Sequence, residues 1–467
     1  MVFHAWLVAM RGPKFRTLVN SAANLAGVLS AAAAAIAVTP ILLRELGPAG
    51  FGMFSIQIGV LSILGINDLG VSRAVVLRGI QRGGARDTRR LANVVTKGIT
   101  LSAVLALAVV LATPLALSIT YISGSIEQEA IFSWLLLTSA CAVAVISLPL
   151  RAVLEVQERF LILNALRSIS VASLFVGPAV FVLFWKTPWL VAAVILATRI
   201  LMLILYAGAV LPVSRLVRWG QVLQGVGHML LAKRWERFAP LVHLAGWLGL
   251  AGLGSTAIGY VDRFVLGGIN GPAEVALYTV PAEIATRFWL VTGAVVAAMT
   301  PQIAKAWHSK SGPETARLFK LLAIMLGLVI FPIQIIVNVG GEYALRAWLG
   351  ENFEPRMFGI LSVLTLGIVI NTASTVNFVA YQVGGRQKAA GVLVLISLPV
   401  TIAAYIAAAA FAGAEGVAWA FAVRLLLDAL VFVAFLPEGP GGSKIGLSWR
   451  AIGAWASLAM AIHFTLT

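Results

Sequence analysis

The sequence predicts an all-α integral membrane protein in which two six-helix lobes, formed by a parallel 6+6 repeat, surround a central cavity. Hydrophobic residues make up 60% of the chain and charged residues only 11%, and the mean hydropathy is +0.97. Apolar runs of about 18 or more residues, which are long enough to cross a bilayer, recur throughout the chain. Two sequence motifs also occur twice at nearly the same spacing, which indicates an internal duplication.

The first repeated motif is a Gly-Pro-Ala turn, which occurs as LGPAGFGMF at Gly47 and again as NGPAEVALY at Gly271. The second is the end of a helix, which occurs as LEVQERF around Arg159 and as YQVGGRQ around Arg386. Tandem units of this kind are common in secondary transporters, whose substrate site lies where the two halves face each other.

The apolar runs predict twelve membrane helices and one further apolar stretch near the C-terminus. The predicted helices cover residues 18–43, 51–77, 91–119, 131–154, 160–184, 190–211, 240–266, 274–300, 318–339, 357–381, 389–411 and 416–436. The stretch 449–467 is either an extra C-terminal span or a shortened helix.

These elements divide the chain into five parts. Residues 1–17 form an N-terminal cytoplasmic segment and 18–211 the N-lobe. A cytoplasmic linker follows at 212–238, whose pattern favours an amphipathic helix on the membrane surface. The C-lobe covers 239–436, and 437–467 contains a polar connection with the extra apolar segment.

Lysine and arginine are concentrated in alternate connections, beginning with the N-terminus. The net charge of +16 therefore follows the positive-inside rule and does not indicate a nucleic-acid partner. The rule places the N-terminus in the cytoplasm and both Gly-Pro-Ala turns on the outer side. The single cysteine, Cys141, excludes a disulfide framework, and no metal-ligand spacing or phosphate-binding loop suggests a metal or cofactor.

Arginines inside predicted spans are the strongest candidates for a binding site: Arg73, Arg199, Arg287 and Arg424. Burying a guanidinium in the bilayer is costly, so each must face a partner or an aqueous cavity. Because the guanidinium fork matches phosphate oxygens, such a cluster favours an anionic substrate. Arg199 has no acidic neighbour within its helix. It is the best single candidate for a ligand contact, with snorkelling to the membrane surface or pairing with another helix as the alternatives.

Two arginines lie four residues from a carboxylate, at the spacing of neighbours on one helix face. These are the pairs Glu283–Arg287 and Arg424–Asp428, and both internal ion pairing and ligand contact stay open for them.

The acids deepest in the predicted membrane are candidates for coupling to an H⁺ or Na⁺ gradient: Asp68, Asp262 and Glu283. For Asp262 we favour a structural pair with the adjacent Arg263.

Several of these segments together resemble a known family. They are LLRELGPAGFGMFS followed by NDLG, then YVDRFVLGG, GPAEVALYTVPAEI, RAWLGENF and YQVGGRQK. Between about residues 20 and 436, the chain resembles the polysaccharide (O-antigen type) flippases of the multidrug/oligosaccharidyl-lipid/polysaccharide exporter superfamily. The resemblance implies a V-shaped pair of six-helix lobes around a cationic cavity. It also implies that polyprenyl-pyrophosphate-linked oligosaccharide crosses there from the inner to the outer leaflet.

The resemblance therefore implies a secondary transporter, not an enzyme, in the bacterial inner membrane. Its expected partners are the lipid-linked oligosaccharide and membrane lipids, with a polysaccharide polymerase and assembly proteins as further candidates. Two alternatives remain. A cation-coupled multidrug exporter is less favoured because drug sites prefer aromatic and acidic residues to arginine. A membrane polysaccharide polymerase or ligase is less favoured because the longest outer loop, about 340–356, is short.

Overall fold

A computed structural model gives the structure of most of the chain. It describes residues 13–66, 70–81, 87–122, 128–185, 187–217, 219–231, 236, 238–440 and 445–467. Within these ranges the regular structure is helical and contains no extended strand. Contacts between residues divide the chain into two compact units. The first unit comprises Met1–Leu46 and Gln57–Thr256, and the second comprises Gly47–Ile56 and Ala257–Thr467.

The first unit contains most of α1 and all or nearly all of eight further helices. Their bounds are α1 (Pro13–Leu61), α2 (Val71–Gln81), α3 (Thr88–Ile122), α4 (Gln128–Val156), α5 (Phe160–Val182), α6 (Pro188–Ala209), α7 (Leu211–Ser214), α8 (Trp219–Leu230) and α9 (Ala239–Ile258). A π-helical turn at Ser62–Ile66 follows α1.

The second unit is built from seven helices and the short piece of α1. Their bounds are α10 (Val261–Ile269), α11 (Pro272–Ala285), α12 (Phe288–His308), α13 (Gly312–Leu349), α14 (Pro355–Val383), α15 (Gln387–Ala434) and α16 (Trp449–Leu466). A 3₁₀ turn at Gly350–Asn352 connects α13 to α14.

Nine helical segments in the described part of the chain are long and apolar enough to cross a membrane. The prediction of an all-α, multi-pass membrane protein is therefore confirmed. Two of these segments run through a backbone kink, one at Gly47 in α1 and one at Ala412–Gly413 in α15. Each kink falls between two of the predicted helices. The total of twelve helices and the lobe boundaries stay predictions.

The two Gly-Pro-Ala turns share one backbone conformation. Gly47 has φ 69° and ψ 172°, and Gly271 has φ 86° and ψ 171°. This positive-φ, extended-ψ conformation is open almost only to glycine. Both glycines immediately precede a proline that begins the next helical segment, where proline is well tolerated. The repeated turn in the sequence is thus a repeated turn in the structure.

The second repeated motif also has the same local geometry in both copies. In the first copy, Glu158 adopts φ 55° and the Arg159 amide donates to Leu154 O at 2.9 Å. In the second copy, Gly385 adopts φ 70° and the Arg386 amide donates to Tyr381 O at 2.9 Å. Each motif ends its helix through a left-handed residue and a bond that reaches back five residues.

The short piece of α1 in the second unit brings the two Gly-Pro-Ala motifs into contact. A Cβ built on Gly52, in the first motif, would lie 1.7 Å from the carbonyl oxygen of Pro272, in the second motif. No real side chain fits at that distance, so glycine is required for the backbones to approach this closely.

Buried amide side chains attach the C-terminal segment to the second unit. The Asn377 side chain on α14 donates to Leu447 O at 3.2 Å and accepts from the Leu447 amide at 2.7 Å. On α13, the fully buried Gln334 donates to Ala459 O of α16 at 2.7 Å. Polar side chains often join helices in this way in an apolar environment. The predicted extra apolar segment is therefore a packed helix of the second unit.

We predict that Gly52→Ala destabilises the protein by about 1–3 kcal/mol, the usual cost of overpacking. Its methyl group would force the Pro272 backbone to move. The matched control is Gly268→Ala, because a Cβ on Gly268 meets nothing within 4 Å. Thermal unfolding of the purified protein in detergent should show a lower midpoint for the first variant only. Equal midpoints would contradict the close contact of the two turns.

Candidate functional site

A charged cluster in the second unit is centred on Glu283, near the C-terminal end of α11. Its Oε1 accepts a hydrogen bond at 3.2 Å from Nη2 of Arg263, on α10. Its Oε2 accepts a hydrogen bond from Nη2 of Arg287, which lies four residues later and immediately precedes α12. One carboxylate thus joins two guanidinium groups, one from α10 and one from the residue that precedes α12. We call this arrangement the Glu283 bridge.

The two arginines of the Glu283 bridge differ in exposure. The side chain of Arg263 is 8% exposed and that of Arg287 is 30% exposed. The Nε atoms of both are buried and have no hydrogen-bond partner among the described residues. The bridge therefore neutralises charge without using all the donors that the two guanidinium groups offer.

Asp262 is buried beside the bridge but takes a different partner from the one predicted. Its Oδ2 accepts from the Tyr278 hydroxyl at 2.8 Å, and its Oδ1 accepts from the backbone amide of Arg263 at 2.8 Å. The Arg263 guanidinium pairs instead with Glu283. The favoured Asp262–Arg263 side-chain pair is thus replaced, because the α10 backbone and α11 supply the donors for the aspartate.

Arg424 lies on α15 in the same unit, and its guanidinium carbon is 5.4 Å from the centre of the Phe421 ring. Its Nε is buried without a hydrogen-bond partner among the described residues. No ion pair within 4.0 Å joins it to Asp428, so only one of the two pairs at four-residue spacing, Glu283–Arg287, is formed. The hydroxyl of Tyr405, on the same helix, is also buried with no partner in the described part of the chain.

Arg199 lies on α6 of the first unit and is only 6% exposed. Its Nη1 donates to the Ser170 hydroxyl on α5 at 2.7 Å. Its Nε and Nη2 are buried and have no hydrogen-bond partner within the described ranges. A hydroxyl satisfies one donor but neutralises no charge, so this guanidinium is under-compensated.

The remaining predicted residues are less informative. Arg73 lies on α2 and its side chain is exposed, while Asp68 falls outside the described residues. Among the described residues, no group of three or more His, Cys, Asp or Glu side chains could hold a metal ion. Cys141 is buried and free.

The internal repeat relates two of these residues. Arg199 and Arg424 are 225 residues apart, close to the spacing of the repeated turns, and each lies in the last long helix of its copy. The repeat spacing could therefore have identified these two arginines as equivalent positions from the sequence alone.

The Asp262–Tyr278 bond occurs in only one copy. At the matching spacing, the first copy has Val38 and Phe54 in these two positions. The sequence analysis did not predict this hydrogen bond. The signal that could have revealed it is a polar pair in one repeat at positions where the other repeat has an apolar pair.

Comparison with known proteins identifies the family. Residues 18–307 match the family described as "Polysaccharide biosynthesis protein". The chain belongs to this family. A Shigella flexneri protein described as "Putative O-antigen transporter" is 27% identical over 414 residues, which cover 88% of this chain and 96% of that protein. The family resemblance found in the sequence is thus confirmed.

Solved structures with the same fold are transporters. An inward-facing multidrug resistance MATE family transporter of the MOP superfamily matches with a TM-score of 0.60 and 14% identity, over 96% of each chain. A MOP superfamily transporter from Pyrococcus furiosus matches with a TM-score of 0.57 and 14% identity, over 91% of this chain and 95% of the other. At such identities the likeness shows the fold alone. The chain therefore has the fold of MOP superfamily transporters.

We predict that Tyr278→Phe destabilises the protein by about 1–3 kcal/mol, because it removes a donor from a buried carboxylate. The matched control is Tyr405→Phe, which removes a buried hydroxyl that has no partner among the described residues and should leave stability unchanged or raise it. Thermal unfolding in detergent compares the two variants. An equal loss of stability in both variants would contradict a stabilising role for the Asp262–Tyr278 hydrogen bond.

Proposed function

We propose that this protein flips polyprenyl-pyrophosphate-linked oligosaccharide from the cytoplasmic to the outer leaflet of the bacterial inner membrane. The transported saccharide would then enter surface polysaccharide synthesis. Membership of the polysaccharide biosynthesis family and similarity to a protein described as an O-antigen transporter support this proposal. The transporter fold supports it further.

The observation that carries the proposal is the under-compensated guanidinium of Arg199. Two of its three nitrogens have no hydrogen-bond partner among the described residues, and the one partner, Ser170, is neutral. A diphosphate supplies both the negative charge and the acceptor oxygens that this group lacks. The guanidinium fork suits phosphate oxygens better than it suits the neutral or cationic compounds that drug exporters carry.

The second unit offers two further guanidinium groups for the same chemistry. Arg287 is the more exposed member of the Glu283 bridge, and Arg424 retains a buried donor without a hydrogen-bond partner among the described residues. Both lie in segments apolar enough to span a membrane, as does Arg199. Arg73 completes the proposed set of substrate-binding arginines.

Alternating exposure of these arginines to the two sides of the membrane would move the lipid-linked substrate across it. An H⁺ or Na⁺ gradient is the proposed driving force, with Asp262 and Glu283 as candidate coupling groups beside Asp68. The N-terminus is assigned to the cytoplasm by the distribution of Lys and Arg. A polysaccharide polymerase and other assembly proteins are the proposed partners.

We predict that Arg199→Ala and Arg287→Ala each reach the membrane at normal levels but reduce surface polysaccharide assembly at least about tenfold, because each loses a charge-assisted contact to the substrate. Assembly is measured in cells that lack the native gene and carry each variant. The matched control is Arg346→Ala, which removes an exposed arginine that pairs with Glu342 at four-residue spacing. That control should assemble polysaccharide normally.

Normal polysaccharide assembly in both Arg199→Ala and Arg287→Ala would refute the assignment of these arginines to substrate binding. A drug-efflux assay on the same strains separates the proposal from a multidrug exporter. Efflux that depends on this protein, together with unaffected polysaccharide, would favour the exporter.

A further inference from the structure

The two arginines of the Glu283 bridge differ in burial, so they differ in how easily each can exchange its partner. Arg263 is nearly buried, and its guanidinium carbon also lies 4.8 Å from the centre of the Tyr260 ring. If Glu283 moved away, this buried cation would lose its only ion-pair partner among the described residues, which is strongly unfavourable. Arg263 therefore keeps Glu283 in place.

Arg287 is in the opposite situation. Its side chain is 30% exposed, and Glu283 is its only ion-pair partner among the described residues. A partly exposed arginine can exchange one anionic partner for another at low cost, because water and the new ligand compensate the charge. Arg287 is thus the member of the bridge that can leave.

The carboxylate of Glu283 also resembles part of the proposed ligand. It offers two oxygens and one negative charge to two guanidinium groups. Each phosphate of a diphosphate that is esterified at both ends offers the same, and the diphosphate has two such phosphates. A diphosphate that reaches Arg287 competes with Glu283 for the same donor, while Arg263 holds the carboxylate nearby.

We propose that Glu283 is a built-in competitor for the substrate's diphosphate. In the empty protein it occupies Arg287. On binding, the diphosphate takes Arg287 and Glu283 stays on Arg263. On release, Glu283 returns to Arg287 and weakens the hold on the departing diphosphate. This inference rests on the proposed function, since it assigns a release step to the same binding group.

The competitor role predicts a change that a purely structural role does not. Removal of the Glu283 charge should strengthen anion binding at Arg287 and slow transport. If the bridge only stabilised the fold, the same substitution would weaken the fold and leave anion binding unchanged or reduced. The sign of the affinity change therefore distinguishes the two roles.

The test uses the full-length protein in lipid nanodiscs, with inorganic pyrophosphate as the probe and isothermal titration calorimetry as the measurement. We expect Glu283→Gln to bind pyrophosphate about tenfold more tightly than the unmodified protein, the factor that one lost competing charge-assisted bond can supply. The double variant Glu283→Gln with Arg287→Ala should lose that gain. Surface polysaccharide assembly should fall in Glu283→Gln despite its tighter binding.

Two further variants make the test decisive. Glu342→Gln breaks the exposed pair with Arg346 at the same four-residue spacing, and its pyrophosphate affinity should match that of the unmodified protein. Glu283→Asp keeps the charge on a shorter side chain that cannot reach both arginines. Its gain in pyrophosphate affinity should be smaller than that of Glu283→Gln. If Glu283→Gln reaches the membrane poorly, Glu283→Asp replaces it in the titration.

The outcomes separate this inference from the proposed function. Unchanged or weaker pyrophosphate binding in both Glu283 variants, with assembly lost in Arg287→Ala, overturns the competitor role and leaves the flippase proposal standing. Absence of pyrophosphate binding in every protein, with normal assembly in Arg287→Ala, overturns both. Tighter binding that requires Arg287, with slower assembly, supports the inference.

Discussion

The constraint on which this structure depends is the cost of a guanidinium group inside an apolar helical bundle. In the second unit a carboxylate meets that cost for two arginines, since Glu283 accepts from both Arg263 and Arg287. The first unit meets it only in part, because the Ser170 hydroxyl contributes no charge to Arg199. Arginines at such positions are retained where a ligand completes their compensation. The distribution of partners thus follows from one electrostatic requirement and leads to the proposed diphosphate substrate.

The two copies of the repeat share their backbone geometry but differ in their polar residues. The Gly47 and Gly271 turns share their dihedral angles, and the motifs that end at Arg159 and Arg386 share their hydrogen bonds. The polar content differs, since the Asp262–Tyr278 bond has only apolar residues at the matching positions of the first copy. Duplication therefore supplied the scaffold, and later divergence placed the Asp262–Tyr278 pair in the second copy alone.

Much of the fold could be predicted from the sequence because it depends on local rules. The lengths of the apolar runs predicted most of the helices, and the Gly-Pro pairs predicted the two repeated turns. The site was less accessible, because tertiary contacts depend on the rotation of each helix. Spacing allowed an ion pair equally at both sites, yet Glu283 pairs with Arg287 whereas Asp428 and Arg424 form no ion pair within 4.0 Å. The Arg263–Glu283 contact joins residues twenty positions apart on different helices, which no local pattern indicates.

The central claim is that membrane-embedded guanidinium groups select a diphosphate. Its most direct test is a flipping assay with the purified protein in liposomes, using two fluorescent polyprenyl-linked oligosaccharides that differ only in a diphosphate or a monophosphate linkage. The account predicts that the diphosphate-linked lipid crosses the bilayer at least about tenfold faster, as one additional charge-assisted contact allows. Equal rates for the two lipids, or no flipping of either above protein-free liposomes, would contradict it.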